Sequence, residues 1–326
     1  MSGFLLAGCG QQAPMVALDG FTQGTTYHIA LRSADTTGLQ RQIDSLLEAV
    51  DNSMSIYNPA SLLSQLNDNR TDSLDAMIMH CIEVAGEVAR SSGGMYDITV
   101  MPLTRAWGFA AKEQQGEPNL DSLLRFVGFD KISVRNGRLH KTDPRVMLDL
   151  NSLAKGYTVD LVGGLIERRG VTDYLVEIGG EIVARGVNAH GKPWRIGIDR
   201  PEEGNFVPGQ QLQTALALTN VALATSGNYR KFHTDAAGRK VVHIIDPHTG
   251  RAAAGDLLSA TVIAPTCIVA DAWGTALMAL GLERSKEFLE HNHDIMACLI
   301  HDDGQGGMAV WRSGALDSAI IDVDKQ

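Results

Sequence analysis

From residue 174 onward the chain is cut into short β-prone runs by glycine turns, and this pattern most narrows the folds open to it. Residues 174–199 are interrupted at Gly179-Gly180 and again at Gly186. Further β-prone runs follow at 212–219, 221–225, 241–245 and 259–264, and two more, 295–301 and 308–311, come near the end. Runs of β-branched residues bounded by such turns predict strands, many joined as hairpins. The expected fold class is therefore α+β: mixed, largely antiparallel sheets with flanking helices, not a doubly wound parallel sheet.

The first half is more helical. Residues 21–31 read as a strand that Gly24 breaks, at a place where backbone could approach a ligand. Leu39, Ile43, Leu46, Leu47 and Val50 recur on one helical face. After the Asn58-Pro59 turn, Ser61 is the expected cap of a short helix, and a longer helix over 74–89 stops at Gly93-Gly94. Residues 95–103 predict a strand bent by Pro102; a short helix from Leu120 precedes a hairpin at Asn136-Gly137. A strand over 146–150 is expected to run directly into a helix over 153–169, closed by Gly170; two later helices start at Ala270 and Arg284. Residues 1–20 read as a leader remnant and tether, and 21–326 as the catalytic region, with any subdomain division near 110–145.

Charge narrows the partners. The chain carries a formal −10 and has no Lys/Arg run, which argues against a nucleic-acid partner, since phosphate backbones demand a basic footprint. No apolar run reaches the ~20 residues of a membrane helix. The N-terminal Phe-Leu-Leu-Ala-Gly-Cys, ending at Cys9, is similar to a lipoprotein processing site. It predicts a periplasmic protein whose contact with the membrane is a lipid anchor on Cys9. Cys81, Cys267 and Cys298 lack CxxC spacing and lie in apolar segments, so they read as buried thiols.

Two stretches promise chemistry. In His243-Ile-Ile-Asp-Pro-His-Thr-Gly250 a β-branched pair runs into an Asp-Pro turn, which places polar side chains at a strand end. His243 is the best base candidate there, with a hydrogen-bonded core histidine as the alternative. Farther on, Asp271 and Thr275 are four apart and share a helix face. A carboxylate and a hydroxyl so placed suit Mg²⁺; they equally suit a helix N-terminal carboxylate and a core threonine. Asp149, at the expected strand-to-helix junction, precedes Lys155 and Asp160, an arrangement open to a phosphate or to a plainly capped helix. Thr225-Ser226-Gly227, followed by Tyr229-Arg230, suits anion contact or a simple turn; a hydrolase triad of Ser226 with His243 lacks the G-x-S-x-G elbow.

An ordered set of motifs then amounts to a resemblance. Gly24-Thr-Thr-Tyr27, Met54-Ser-Ile-Tyr57, Tyr96-Asp-Ile-Thr-Val100 with Trp107-Gly-Phe109, Asp149-Leu150 with Lys155-Gly-Tyr157, Glu177-Ile-Gly-Gly180, Thr225-Ser-Gly227, His243-Ile-Ile-Asp-Pro247 and Ala270-Asp271 with Thr275 follow one another along roughly residues 20–300. Together they resemble the ApbE family, the FAD:protein FMN transferases. The resemblance implies a Mg²⁺-dependent enzyme that cleaves FAD and moves FMN onto a protein Thr or Ser hydroxyl, releasing AMP. Carried over residue by residue, it implies flavin-nucleotide contacts at Gln23, Tyr57, Met95, Tyr96, Asp97, Asp149, Lys155 and Ile245. It places Mg²⁺ at Asp271 and Thr275 with main-chain oxygens near Ser152 and Gly274, and offers His243, or else Asp246, as the base. Gln23 stands where Met is frequent in the family, and Gly274 where some members carry Asp. The implied partners are flavin-accepting subunits of Na⁺-translocating NADH:quinone oxidoreductase or Rnf-type complexes. A Mg²⁺-dependent FAD pyrophosphatase and a non-catalytic flavin-binding lipoprotein are the rival functions.

Overall fold

A computed structural model describes residues 12–110, 118–202, 211–228, 232–234, 240–253 and 255–321; Cys9, Tyr229 and Arg230 lie outside the described residues. The chain opens with β1 (Met15–Thr22), β2 (Thr25–Arg32), α1 (Leu39–Met54), α2 (Leu62–Asn67), α3 (Ala76–Ser91), α4 (Met101–Ala106) and α5 (Leu120–Leu124). Next come β3 (Ile132–Arg135), β4 (Arg138–Lys141), α6 (Ala154–Glu167), β5 (Tyr174–Ile178), β6 (Glu181–Arg185), β7 (Trp194–Asp199), β8 (Leu212–Leu218) and β9 (Val221–Gly227). It closes with β10 (Phe232–Thr234), β11 (Lys240–Val242), β12 (Leu257–Ala264), α7 (Cys267–Leu280), α8 (Leu282–His291), β13 (Met296–Asp302), β14 (Met308–Arg312) and β15 (Ile320–Ile321).

The expected α+β class is what the structure shows. Eight strands form one antiparallel sheet in the order β1-β2-β5-β6-β9-β12-β13-β14. Strand residues alternate between faces, and here both faces are covered. Ala224, Ala260, Val262, Ala297 and Leu299 pack with Ile78, Leu148, Trp273 and Leu277 on the helical side. Their neighbours Leu223, Ile263, Cys298 and Ile300 point the other way, onto Trp194, Ile196, Leu216 and Leu218 of a small sheet ordered β15-β8-β7. Toward the β1 end, Ile29, Val176 and Ile178 meet Ile43 and Leu47 of α1 and Val159 and Val162 of α6.

Several expectations need correction. The single strand over 21–31 is a hairpin, turned at Gln23 (φ 49°) and Gly24 (φ 76°), and β1 begins at Met15 inside the expected tether. Residues 95–103 form no strand: Pro102 sits in the first turn of α4, where a missing N–H costs nothing. Residues 146–150 likewise join no sheet; Met147 makes one isolated parallel bridge to Val100. Strand β11 stops at Val242, short of the expected Ile245. Ile132 and Leu139 belong to the same buried cluster as Ile78, Leu148 and Val262. The cap at Ser61, which accepts the Ser64 N–H at 3.0 Å, and the Asn136-Gly137 hairpin are as expected.

Candidate functional site

The site is built where α6 meets α7. The first N–H groups of a helix have no partner within it, and each of these helices supplies what the other lacks. Asp160 on α6 accepts the N–H groups of Cys267 and Ile268 at 2.8 Å each, which starts α7 three residues earlier than the expected Ala270. In return Asp271 Oδ2 accepts the Gly156 N–H of α6 at 2.9 Å. Gly156 is required at this crossing: a Cβ there would stand 2.3 Å from the Cys267 carbonyl oxygen and 2.8 Å from Asp271 Cβ.

That packing fixes Asp271 in the second turn of α7, 4% exposed, so it is not the N-terminal helix carboxylate of the alternative reading. Burial, opposed by Lys155 and reinforced by Glu181, pushes its carboxyl up to about 7. Lys155, one residue before Gly156, forms an ion pair with Glu181 of β6, which is almost wholly buried. Burial alone would lower the ammonium, but Glu181 and then Asp271 outweigh it and hold Lys155 above its ordinary value. One turn beyond Asp271, Thr275 Oγ1 is 3.4 Å from Ser226 Oγ on β9. Gly274 permits that approach, since a Cβ on it would lie 2.9 Å from Ser226 Oγ.

A second group of side chains flanks this crossing. Tyr96, 2% exposed, shares a 2.9 Å hydrogen bond with Ser152 Oγ, the two hydroxyls being interchangeable as donor. Burial first, then the charge of Asp271 and more weakly that of Asp149, raise its phenol well above the ordinary range. Asp149 is 8% exposed and accepts the Thr104 hydroxyl at 3.1 Å and the Asn151 N–H at 3.0 Å. Partial burial of the hydroxyl and, after it, Asp149 raise the Tyr57 phenol, although Tyr57 as a whole is 61% exposed. An exposed ring beside a held carboxylate is a platform for a planar ligand. Gln23, at the tip of the β1–β2 hairpin, donates to Thr158 Oγ1 at 2.7 Å and so anchors that tip on α6.

The remaining candidates divide by what their side chains do. Met95 and Ile245 are buried. Asp97 accepts both the N–H and the hydroxyl of Thr99 at 2.7 Å, which occupies Oδ1 in shaping its own turn. Asp246 behaves similarly: its Oδ1 accepts the N–H groups of His248 and Thr249 at 2.8 and 3.3 Å. That makes it a turn-former. The His243 ring is partly buried and lies edge-on to Phe109 with centroids 6.3 Å apart. Its loop is clasped from the first half of the chain, by Trp107 Nε1 donating to the Gly250 carbonyl at 2.7 Å and by His248 Nε2 at 3.2 Å from the Gly93 carbonyl.

Sequence reasoning missed Glu181. Its signal was the Gly179-Gly180 turn followed by an alternation that points Glu181 inward with Val183, because an inward carboxylate on a buried strand demands a partner. Among the described residues no three His, Cys, Asp or Glu side chains converge to hold a metal. A cation here would instead rest on Asp271 with hydroxyl and main-chain oxygens, a donor set that suits Mg²⁺.

Comparison with known proteins shows the family. The ApbE family profile matches residues 23–300. An FAD:protein FMN transferase of Vibrio cholerae is 36% identical over 312 residues, 92% of each chain, and one of Haemophilus influenzae is 34% identical over 315 residues, 91% of this chain and 90% of that protein. The solved flavin transferase ApbE from Vibrio cholerae superposes with a TM-score of 0.83 at 32% identity, covering 94% of this chain and 99% of that one. The apo flavinyl transferase ApbE of Pseudomonas stutzeri also gives 0.83, at 30% identity over 95% and 98% of the two chains.

Proposed function

Because this chain belongs to the ApbE family and is an FAD:protein FMN transferase, we propose that the α6–α7 crossing receives the FAD pyrophosphate and that FMN passes from it to an acceptor hydroxyl. The observation that carries this reading is the α6–α7 crossing itself, where the Gly156 N–H holds Asp271 one turn before Thr275 and the neighbouring Lys155 is paired with Glu181. A buried cation and hard oxygens at one end suit phosphate; aromatic surface and a fixed carboxylate at the other suit a flavin.

The residues fit Mg²⁺. Burial raises the Asp271 carboxyl, and a divalent cation beside it would favour the ionised form. Asp271 and Thr275 side chains, with main-chain oxygen near Ser152 and Gly274, would hold it. When bound, it supplies charge neutralisation to the phosphates. Lys155 holds a positive charge at the pyrophosphate, oriented by Glu181. His243 takes the proton of a Thr or Ser hydroxyl of the acceptor, whose oxygen forms a bond to the FMN phosphorus as the P–O bond to the AMP phosphate breaks. General-base help of this kind is typically worth about 10²–10⁴ in rate.

The relatives' name requires a protein acceptor. For it we take a flavin-accepting subunit of a Na⁺-translocating NADH:quinone oxidoreductase or an Rnf-type complex, on the strength of the ordered motifs alone. The Leu-Ala-Gly-Cys sequence supports a lipid tether at Cys9 on the periplasmic side of a membrane. Product analysis tests the chemistry. FAD incubated with protein, acceptor and Mg²⁺ is expected to yield AMP, excess EDTA to stop it and excess Mg²⁺ to restore it. AMP release undiminished in EDTA would remove the cation from the reading.

A further inference from the structure

Glu181 presents a problem that its ion pair does not solve. One carboxylate oxygen, Oε1, meets Lys155 Nζ; the other, Oε2, is buried and has no hydrogen-bond partner among the described residues. The residue is 2% exposed, so bulk water does not meet this oxygen. An unanswered oxygen on a buried carboxylate is costly and calls for a donor.

The surroundings narrow what that donor is. Lys155 and Gly156 are consecutive at the start of α6: the first holds Glu181, and the N–H of the second holds Asp271. Glu181 and Asp271 are thus tied to consecutive residues of α6, and the Lys155 ammonium feels the charge of both carboxylates. A flavin or ribose hydroxyl would satisfy Oε2 but leave that buried excess of negative charge in place, which is unfavourable away from water. A divalent cation removes the excess, and Mg²⁺ keeps several of its waters when it binds, each a strong donor.

We propose that Glu181 is an outer-sphere ligand of the site, its Oε2 accepting a hydrogen bond from a water of the divalent cation held at Asp271 and Thr275. Lys155 pins Oε1 and thereby aims Oε2, so the ion pair is a positioning device as well as a counter-charge. This rests on the cation reading above, and the two fail differently.

The test is Mn²⁺ binding to the flavin-free protein, followed by electron paramagnetic resonance of the free ion above neutral pH. Loss of an outer-shell partner typically weakens metal affinity about 10–100-fold, and Glu181→Gln is expected to do so. A charge effect is separated by the double variant Lys155→Met/Glu181→Leu, which keeps the single net negative charge of the wild-type cluster and replaces the pair with apolar groups of similar size. Its Mn²⁺ affinity is expected to stay about tenfold or more below wild type. Wild-type affinity in the double variant, or a change under about threefold in Glu181→Gln, would overturn the proposal and leave Glu181 as a counter-ion. Asp271→Asn binding Mn²⁺ as the wild type does, or a wild type that binds none, would overturn the cation reading and this inference with it.

Discussion

At the scale of single residues, Asp271 and His243 do different work. Asp271→Asn keeps an acceptor for the Gly156 N–H but removes the only formal charge among the expected cation ligands. Metal-dependent turnover is expected to be lost while the thermal midpoint moves by only a few degrees, and full activity at ordinary Mg²⁺ would refute the assignment. His243→Ala is expected to leave FAD affinity nearly intact, since Tyr57, Tyr96, Asp149 and Lys155 require no imidazole. Transfer should slow by about 10²–10⁴. Transfer within a few-fold of wild type would move the base elsewhere, and collapse of FAD binding would make His243 structural. The sequence offered both as candidates, Asp271 through its helical spacing from Thr275 and His243 through its place before the Asp-Pro turn. Glu181 was not singled out, because its partner Lys155 lies 26 positions away and no local pattern links them.

At the scale of elements, the crossing of α6 and α7 decides whether the site exists. Gly156→Ala adds a methyl against a backbone carbonyl 2.3 Å away, which cannot rotate aside as a flexible side chain would. Overpacking of this kind costs about 1–3 kcal/mol, read from urea denaturation, and Mg²⁺ affinity should fall with it as Asp271 is displaced. A change below about 0.5 kcal/mol, the range of an ordinary surface substitution, would show that the helices are not in contact there. The same crossing explains where sequence reading failed. The start of α7 is set by Asp160, over 100 positions away in sequence, so no local signal placed it at Cys267. Residues 95–103 and 146–150 carry strand-like side chains, yet each meets the other through a single bridge, and Pro102 turns the first into a helix. Hairpins with a local turn signal, such as Asn136-Gly137, were readable because the turn itself fixes the pairing.

At the scale of the whole molecule, the buried carboxylates should set the pH response. Burial raises Asp97, Asp160, Glu177 and Asp271, the last to about 7. Between an unfolded value of about 4 and these folded values the native state binds more protons than the unfolded chain, so stability falls as pH rises. The exposed carboxylates Asp35, Asp143 and Asp303 are lowered and pull the opposite way, but solvent screens them. The metal-free, flavin-free protein is therefore expected to melt at a lower temperature at neutral pH than near pH 5, with Mg²⁺ offsetting part of the loss. A melting temperature that climbs steadily over that interval would contradict it.

The central claim is that this fold joins FMN to another protein, and the most direct measurement is the intact mass of the acceptor. A flavin-accepting subunit incubated with this protein, FAD and Mg²⁺ should gain the mass of one FMN less one water on a Thr or Ser, with one AMP released for each. Free FMN and AMP beside an unmodified acceptor, or FAD left unchanged, would contradict the account.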